Sequence, residues 1–435
     1  MDRGRSGGEP AGGSGNRRVS PTGPSELVDV AVVGGGPAGA LLATRLARAG
    51  HEAVILEATP AWHWHAAGVF ASPAALAELR AAGVSADTLR TVARTIPAMR
   101  VETRGGITFR LTYRAGADDE PPVGFARWAL DPALLAQAIA AGAEVRRPAT
   151  VTAMTGASGP APARLTIRGR DGQESTLLAR IVVGADGHRS LVARAMGVNR
   201  PERLDPRIGL SWHLRDTEGD PPRDARMVLL DGAYCGLAPV PGGRINVGLV
   251  LASARWRAAL AARGAAAVGS ELLQAIPPAE DVAEAWRAGQ ATDAIAGAAP
   301  LGHRVTRRAG PGWILVGDAA GFLDPFTGEG LHRALVSARL GAGAVAAALR
   351  AGADTTGRDR ALAAYDRSMS RQFATKDIVS LVVQAFLARP ALFEYAARRL
   401  ARRNRVRETM GLVMGDLVPA SRALDPRFLA ALLLP

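Results

Sequence analysis

Three features of the sequence predict an α/β fold. First, a short β-branched run at 28–33 leads into a glycine-rich turn and an apolar helical pattern. Second, the run at 53–57 is another apolar strand, and it ends in an acidic residue. Third, apolar strands that end in Gly/Asp turns recur at 181–186 and 313–318. Short apolar strands that alternate with helices are typical of a parallel sheet buried on both faces.

Turn and cap residues divide the N-terminal half into further elements. Gly50 ends the first helical pattern, and Gly105 and Gly106 form a turn between two alternating runs. Asp131 and Pro132 are typical of a helix start, as N-cap and first helical residue. The predicted elements of this half are a strand at 28–33, a helix at 39–49, a strand at 53–57, a helix at 73–82, strands within 101–112 and a helix at 130–141.

The second half changes from strands to helices along its length. A turn at 170–172 separates two apolar runs and predicts a hairpin, and 208–251 is rich in strand patterns. From Leu331 onward the pattern is mostly helical. The predicted regions are a disordered leader at 1–25, a parallel-sheet lobe assembled from 26–200 and 295–350, a strand-rich substrate lobe at 201–294 and a helical C-terminal region at 351–435.

Composition excludes several classes of function. The 435 residues are 48% hydrophobic, which is typical of a globular protein. The net charge is +13, and the basic residues are almost all arginine. The sequence contains no basic stripe interleaved with aromatic residues, so it does not predict a nucleic-acid partner. The single cysteine, Cys235, excludes a disulfide framework and a cysteine-rich metal site, and it fits a reducing compartment. No apolar run reaches the length of a membrane span, so we expect a cytoplasmic protein that is at most membrane-peripheral.

The glycine-rich turn has the spacing of a dinucleotide-binding site. Gly34 permits a tight turn, Gly36 lets backbone amides approach a pyrophosphate, and Gly39 lets the helix pack closely on its strand. The phosphates then lie at the positive end of the helix dipole. Glu57 follows Gly36 by 21 residues (57 − 36) at the end of the next strand, where a carboxylate accepts hydrogen bonds from a ribose.

The two later strand-and-turn segments add an acidic residue each. Asp186 follows the strand at 181–183, and Asp318 follows the strand at 313–316. Asp318 can accept hydrogen bonds from a ribityl chain, and amides before the helix near Gly330 can face the pyrimidine side of a flavin. The expected fold is therefore α/β, with a Rossmann-type FAD-binding lobe, an inserted strand-rich substrate lobe and a helical C-terminal region.

These three segments, in this order and spacing, resemble the FAD-binding motifs of the para-hydroxybenzoate hydroxylase superfamily over about 29–350. The run Pro-Phe-Thr-Gly-Glu-Gly at 325–330 is most similar to the geranylgeranyl reductase branch. The resemblance implies NAD(P)H or another electron donor, which the sequence does not identify. It also implies FAD contacts at Gly34, Gly36, Gly39, Glu57, Arg127, Asp186, Asp318, Gly328 and Gly330.

The sequence departs from the reductase branch in the expected substrate pocket. Ala66 stands where those reductases usually carry a cysteine that faces the flavin. Their motif of tyrosine, tryptophan and phenylalanine at alternate positions corresponds to 234–238, where Tyr234 remains and Gly236 and Ala238 replace the other two aromatics. We therefore expect a larger or reshaped pocket for an apolar small molecule, and a geranylgeranyl substrate cannot be carried over from the family.

Several chemistries fit a flavin on this fold. Reduction of a C=C bond in an isoprenoid-like or related apolar molecule is favoured because of 325–330. Hydroxylation of an aromatic or polyketide-type ring is the close alternative, and a non-catalytic flavin-binding protein represents another class. Halogenation through an active-site lysine is disfavoured, because Lys376, the single lysine, lies far in sequence from the flavin motifs.

Two further segments carry hypotheses of their own. His63 and His65, in the run Trp-His-Trp-His, are candidate general acids near the expected flavin edge; the alternative is a solvent-facing loop. An apolar face within 379–387 precedes a dense arginine run at 398–405. These C-terminal helices can form a peripheral membrane contact, or they can pack as a lid on the core. The sequence does not indicate the oligomeric state.

Overall fold

The computed structural model describes residues 26–114, 116, 119–156, 161–201, 206–216, 219–276 and 290–434. The predicted disordered leader at 1–25 lies outside these residues. The α/β fold class predicted from the sequence is confirmed.

The secondary structure mixes short strands with helices throughout the described chain. The strands are β1 (Glu26–Val33), β2 (Ala53–Leu56), β3 (Phe70–Ala71), β4 (Ala93–Thr95), β5 (Met99–Glu102), β6 (Thr108–Leu111), β7 (Val123–Phe125), β8 (Glu144–Arg146), β9 (Thr150–Thr155), β10 (Ala163–Arg168), β11 (Glu174–Gly184), β12 (Asn199–Pro201), β13 (Arg207–Arg215), β14 (Ala225–Leu230), β15 (Ala233–Val240), β16 (Arg244–Ala252), β17 (Ala296–Ala298), β18 (His303–Val305), β19 (Ala309–Gly310) and β20 (Trp313–Leu315). The α-helices are α1 (Pro37–Arg48), α2 (Pro73–Ala81), α3 (Ala86–Val92), α4 (Arg127–Ala140), α5 (Leu191–Ala195), α6 (Ser253–Gln274), α7 (Gly330–Arg350), α8 (Thr355–Leu387), α9 (Pro390–Arg402), α10 (Asn404–Met414) and α11 (Pro426–Leu433).

The first large sheet is built on the predicted parallel strands. Its order is β19-β20-β11-β1-β2-β8, with β10 and β9 attached beyond β11. The strands from β20 to β8 run parallel, so their carboxyl ends meet at one edge. One face is covered by α1, α4 and α7, and the other by α5 and the β9–β10 pair. Ligands of such sheets bind outside the carboxyl ends of the strands.

Helix α4 begins earlier than the sequence predicts. It starts at Arg127, so Asp131 lies one turn inside the helix and Pro132 follows within it. The carboxylate of Asp131 binds the Arg127 guanidinium in a bidentate pair, with distances of 2.7 and 2.8 Å. The prediction of Asp131 as N-cap is therefore wrong, because the ion pair occupies the side chain that would cap the helix.

The second large sheet has the order β17-β13-β16-β15-β14-β5-β6. Strands β5 and β6 come from residues 99–111 and join through the parallel pair of β5 with β14. One face carries large apolar side chains that pack under α6. The opposite face turns toward the carboxyl edge of the first sheet. The lobe boundaries predicted from the sequence stay a prediction.

The C-terminal helices pack on β6 and on the edge of the second sheet. On α8, Val379 is buried, and Val383 and Phe386 pack against the core, so most of the predicted apolar face is covered. Val382, which belongs to that predicted face, is exposed, together with Ile378 and Leu381. Among the described residues, no single helix has the length and apolar character of a membrane span. Helices α8 and α9 reach that length and apolar character only together, as a pair bent by 114°.

Candidate active site

A cavity of about 780 Å³ lies between the carboxyl edge of the first sheet and the second sheet. The turns after β1, β2, β11 and β20 form one side of it. The loop at 58–69, the start of α4 and the segment at 321–331 complete this side. The second sheet forms the floor opposite. The cavity therefore joins the predicted cofactor-binding turns to the predicted substrate lobe.

The three glycines of the first turn have distinct roles. Gly34 has a φ of 103°, a conformation that favours glycine. A Cβ at Gly36 would meet no atom within 4 Å and would project into open space, whereas a Cβ at Gly39 would lie 2.1 Å from the Gly34 carbonyl oxygen. Gly34 and Gly36 line the cavity and Gly39 does not. Gly39 thus serves the close packing of α1 on β1, and Gly36 leaves a cradle for a ligand.

Glu57 holds the glycine-rich turn from the end of β2. One carboxylate oxygen accepts a hydrogen bond from the Gly35 amide at 2.8 Å. The other accepts two from Thr59, from its amide at 2.9 Å and its hydroxyl at 2.7 Å. Glu57 also lines the cavity. The carboxylate is therefore fixed beside the turn, where it can accept further hydrogen bonds from a ribose.

Asp186 follows β11 and divides its two oxygens between structure and cavity. Oδ2 accepts hydrogen bonds from the amides of Leu191 and Val192 at the start of α5. Oδ1 is buried and accepts no hydrogen bond from the described residues. Desolvation raises the pKa of this carboxyl above its ordinary value. An unpaired buried oxygen beside a cavity is what a polar ligand group would satisfy.

Arg127 and Asp318 both line the cavity. Besides pairing with Asp131, Arg127 donates a hydrogen bond to the Gly68 carbonyl at 2.8 Å, which ties α4 to the loop after β2. Asp318 follows β20, and desolvation raises its pKa to about 6, although the Arg127 charge acts in the opposite direction. Both side chains can bind polar groups of a cofactor.

The segment at 321–330 is held by its own aspartate. Asp324 Oδ1 accepts hydrogen bonds from the Tyr234 hydroxyl at 2.5 Å and from the Phe326 amide at 2.9 Å. Gly328 has a φ of 70°, and a Cβ there would lie 2.7 Å from the Phe70 ring. Gly328 and Gly330 line the cavity, with Gly330 at the first turn of α7. The segment is thereby fixed against the second sheet.

Three residues of the run Trp-His-Trp-His at 62–65 line the cavity, Trp62 among them, and the fourth does not. His63 and His65 line the cavity. Trp64 turns away, donates its indole N–H to the Ser211 carbonyl at 3.0 Å and packs against His213. Burial lowers the pKa of His65, and the nearby Arg127 adds to this effect. The loop is therefore anchored to β13 and presents both histidines to the cavity, where they remain accessible.

The predicted substrate-pocket residues all border the cavity. Ala66 lies in the loop after β2, and Tyr234 and Gly236 lie on β15. The Tyr234 hydroxyl is bound to Asp324, so this tyrosine presents its ring rather than a free hydroxyl. Burial raises the pKa of Tyr234 well above its ordinary value, and Asp324 adds to this effect. Because Gly236 has no side chain, the surface of the second sheet is flat where this residue borders the cavity.

Some cavity residues are missed by the sequence analysis. Arg147, after β8, lines the cavity and donates to the Thr59 carbonyl at 3.0 Å. Arg189 and Arg194 line it near Asp186. Arg147 follows a strand end of the parallel sheet, which is a usable signal. Asn246, on β16, also lines the cavity but belongs to no motif that would indicate it.

Lys376 does not line the cavity. Its ammonium group donates to the Val413 carbonyl at 2.6 Å and to Asp416 at 2.8 Å. Asp416 also pairs with His332 at 2.9 Å, and although burial opposes it, these partners lower the pKa of Asp416 to about 2. The lysine is therefore occupied in a buried network under α7, which disfavours a role in halogen transfer.

Comparisons with known proteins agree with this geometry. The family described as an FAD binding domain matches residues 27–375. The chain is 27% identical over 377 residues to the digeranylgeranylglycerophospholipid reductase of Methanocella arvoryzae, covering 81% of this chain and 88% of the relative. It is 28% identical over 338 residues to the menaquinone reductase of Mycolicibacterium smegmatis, covering 72% and 75%.

A similar fold occurs in the flavin-dependent brominase Bmp2, with a TM-score of 0.71 and 19% identity over 89% of this chain and 93% of the brominase chain. The family match extends over most of the chain and includes every turn that borders the cavity from the first sheet. The chain therefore belongs to the family of FAD-binding domains and is an FAD-dependent oxidoreductase of the para-hydroxybenzoate hydroxylase superfamily, most like its geranylgeranyl reductase branch.

Proposed function

We propose that this protein reduces a carbon–carbon double bond in an apolar, isoprenoid-like molecule. The observation that carries the proposal is the position of 325–330, which borders the cavity between the cofactor-binding turns and the second sheet. Two relatives are named as reductases of a digeranylgeranyl lipid and of menaquinone, and both compounds are apolar. When bound, FAD supplies the hydride. The residues of the chain bind and orient the cofactor and the substrate, and they exclude water from the cavity.

The cofactor-binding role of the predicted residues is part of this proposal. The backbone amide of Gly36 receives the pyrophosphate, and Glu57 receives the adenosine ribose. Gly34 shapes the turn beside the phosphates, because its own amide donates to the Leu56 carbonyl at 2.9 Å. Gly39 acts indirectly, through the packing of α1. On the flavin side, the proposed contacts are Arg127, Asp186, Asp318, Gly328 and Gly330.

His63 and His65 are the proposed proton donors of the reduction. Both line the cavity, and a reduced double bond needs a proton at the carbon that does not receive hydride. The lowered pKa of His65 makes its protonated form a stronger acid and a less abundant one at neutral pH. We therefore expect turnover to fall with rising pH. In His63→Ala and His65→Ala together, unchanged turnover and pH profile would remove both residues from this role.

The reaction is tested without oxygen. The FAD-loaded protein is reduced under nitrogen with dithionite and mixed with a menaquinone or a geranylgeranyl ether lipid, and products are measured by mass spectrometry. A gain of two hydrogens in the isoprenoid chain supports the reductase. In a second arm, NADH and NADPH replace dithionite to identify the electron donor. Complete absence of the two-hydrogen product from both lipids would refute the proposal.

Hydroxylation of an aromatic or polyketide-type ring is a second candidate. The observation in its favour is the floor at Gly236 and Ala238, where small residues leave room for a flat ring in place of two aromatic side chains. The same preparation separates the two functions, because a hydroxylase requires oxygen and transfers one atom from labelled oxygen gas to its product. Product formed only under labelled oxygen would select this candidate.

The proposed cytoplasmic enzyme meets its apolar substrate at a membrane surface. The exposed stripe on α8, Ile378, Leu381 and Val382, is followed in the chain by α9, whose last turn carries Arg399 and Arg402. Apolar side chains next to cations favour binding to anionic lipid. Leu381→Asp is expected to reduce flotation with phosphatidylglycerol vesicles, whereas Ile139→Asp, at an exposed position on α4, serves as the control. Equal flotation of both variants and the wild type would refute the contact.

A further inference from the structure

The cavity-facing side of the second sheet carries a patch with almost no side chains. Ser211, Gly248 and Gly236 lie in register on β13, β16 and β15. We call these three residues the glycine floor. A Cβ at Gly236 would lie 3.7 Å from the Met227 methyl group, and one at Gly248 would lie 3.8 Å from the Gly236 carbonyl oxygen. No packing conflict therefore requires glycine here, and its effect is an open, flat surface.

One polar side chain borders the glycine floor. Asn246 is two residues before Gly248 on β16, so both side-chain positions lie on the same face. Its side chain lines the cavity although the residue is only 6% exposed. The carbonyl oxygen Oδ1 lies 4.0 Å from the position of a Cβ on Gly248, and it accepts no hydrogen bond from the described residues. An amide oxygen thus faces the floor.

Neighbouring acceptors fix the orientation of this amide. The Asn246 amino group donates to Ser211 Oγ at 3.0 Å and approaches the Trp212 carbonyl at 3.4 Å. Ser211 donates its own hydroxyl proton to the Val247 carbonyl at 2.9 Å, so toward Asn246 it can only accept. A flipped amide would place Oδ1 against two acceptors. The amino group therefore points toward β13 and Oδ1 points to the cavity.

A buried histidine and aspartate support this arrangement from the neighbouring strand, because His213 is paired with Asn246 and lies on the same face of the sheet. His213 is fully buried, and its Nδ1 lies 2.6 Å from Asp293. Donation of the Nδ1 proton to that carboxylate leaves Nε2 as an acceptor, 3.3 Å from the Asn246 amino group. The edges of Trp64 and Trp128 pack against the imidazole. The sequence feature around Trp64 thus helps to position Asn246.

We propose that Asn246 Oδ1 binds a hydroxyl group on a planar ring that lies flat on the glycine floor. This specificity rests on the proposed function, in which the cavity receives a substrate beside FAD. The substrate class is a hydroxylated ring, such as a phenol or hydroquinone, with an apolar remainder toward Tyr234. Positions 246 and 250 are four residues apart on β16, so this face offers roughly 13 Å along the strand.

The test compares two ligands that differ in one hydrogen-bond donor. The FAD-loaded protein is titrated with 1-naphthol and with 1-methoxynaphthalene, and binding is followed by the change in flavin absorbance. The wild type is expected to bind naphthol about tenfold more tightly, because the ether leaves Oδ1 unpaired. Asn246→Leu is expected to abolish this preference, because it weakens the binding of naphthol and leaves the binding of the ether unchanged. No binding of either ligand to the wild type, or an unchanged preference in the variant, would overturn the proposal.

Two more variants separate the hydrogen bond from the shape of the floor. Gly248→Ala adds a methyl group with ordinary contacts. It is expected to weaken the binding of both ligands while the ratio of their dissociation constants stays the same. Ser211→Ala removes one acceptor that orients the Asn246 amide, and it is expected to reduce the preference for naphthol over the ether. The same variant provides the test if Asn246→Leu does not fold. Because the titration needs no turnover, its failure is distinct from a failure to reduce isoprenoid chains.

Discussion

The substitution Gly36→Ala is expected to weaken FAD binding without damage to the apoprotein. Gly36 is the N-cap of α1, with φ −67° and ψ 179°, a conformation open to alanine. A Cβ there would meet no atom of the protein within 4 Å. The free energy of unfolding of the apoprotein should therefore stay within about 1 kcal/mol of the wild type.

The expected loss of affinity follows from the added methyl group. It occupies the cradle in which backbone amides approach the pyrophosphate. Inserting one methyl group into a closely packed contact costs about 1–3 kcal/mol. At about 1.4 kcal/mol for each factor of ten, the dissociation constant for FAD should rise roughly 5- to 150-fold.

Two other glycines provide matched comparisons for this assay. A Cβ at Gly39 would lie 2.1 Å from the backbone oxygen of Gly34, so Gly39→Ala should lower both apoprotein stability and FAD affinity. Gly343 is exposed on α7 with no atom near its Cβ position, and Gly343→Ala should change neither adversely. FAD affinity is measured by quenching of flavin fluorescence and stability by urea unfolding of the apoprotein. Wild-type FAD affinity in Gly36→Ala would refute this account of the turn.

Three further predictions concern charged groups, two at the cavity and one in the buried network under α7. Glu57→Gln should weaken FAD binding about tenfold in the same titration, because an amide N–H₂ replaces one oxygen that faces a donor; unchanged affinity would contradict the role of Glu57. Asp318 has a folded-state pKa of about 6 against an ordinary 3.8, so its charge destabilises the apoprotein above pH 6 and not below about 4. Asp318→Asn should therefore raise thermal stability at pH 7 but not at pH 3.5, while FAD content falls; equal effects at both pH values would contradict the assignment. Lys376→Met should lower the free energy of unfolding by about 3–5 kcal/mol in urea, since it removes the lysine charge from the buried Asp416 and leaves it His332 and the Ser72 hydroxyl. Lys376→Arg tests retention of the charge, and a loss below 1 kcal/mol would contradict the importance of the pair.

The turns that border the cavity from the first sheet were predictable because their residues follow strand ends. Glu57, Asp186 and Asp318 each come directly after a short apolar strand, and a parallel sheet brings such positions to one edge. Local sequence is therefore enough to predict that these three residues lie at the same edge of the sheet. The start of α4 was not predictable in the same way, because the pairing of Asp131 with Arg127 competes with capping and both fit the sequence.

The substrate side depends on contacts between distant segments. His213 meets Asp293 across 80 positions, and Trp64 meets the Ser211 carbonyl across 147. Neither spacing forms a pattern that a single sequence can indicate. The same limit applies to α8, where two apolar stripes are present and only the packing determines that Val379 is covered and Leu381 exposed.

This difference between the two sides bears on how the chain can change its substrate. The cofactor turns are held by backbone hydrogen bonds and by carboxylates at strand ends, whereas the glycine floor has no packing conflict that requires its glycines. Alanine at Gly236 or Gly248 would alter the cavity and leave the turns around Gly36 untouched. Asn246 lies on the same face of β16 as Gly248, so its replacement by leucine would remove an acceptor from the cavity. The cavity can therefore be reshaped on its floor while FAD binding is retained, which fits the departure of Gly236 and Ala238 from the aromatic pattern of the reductase branch.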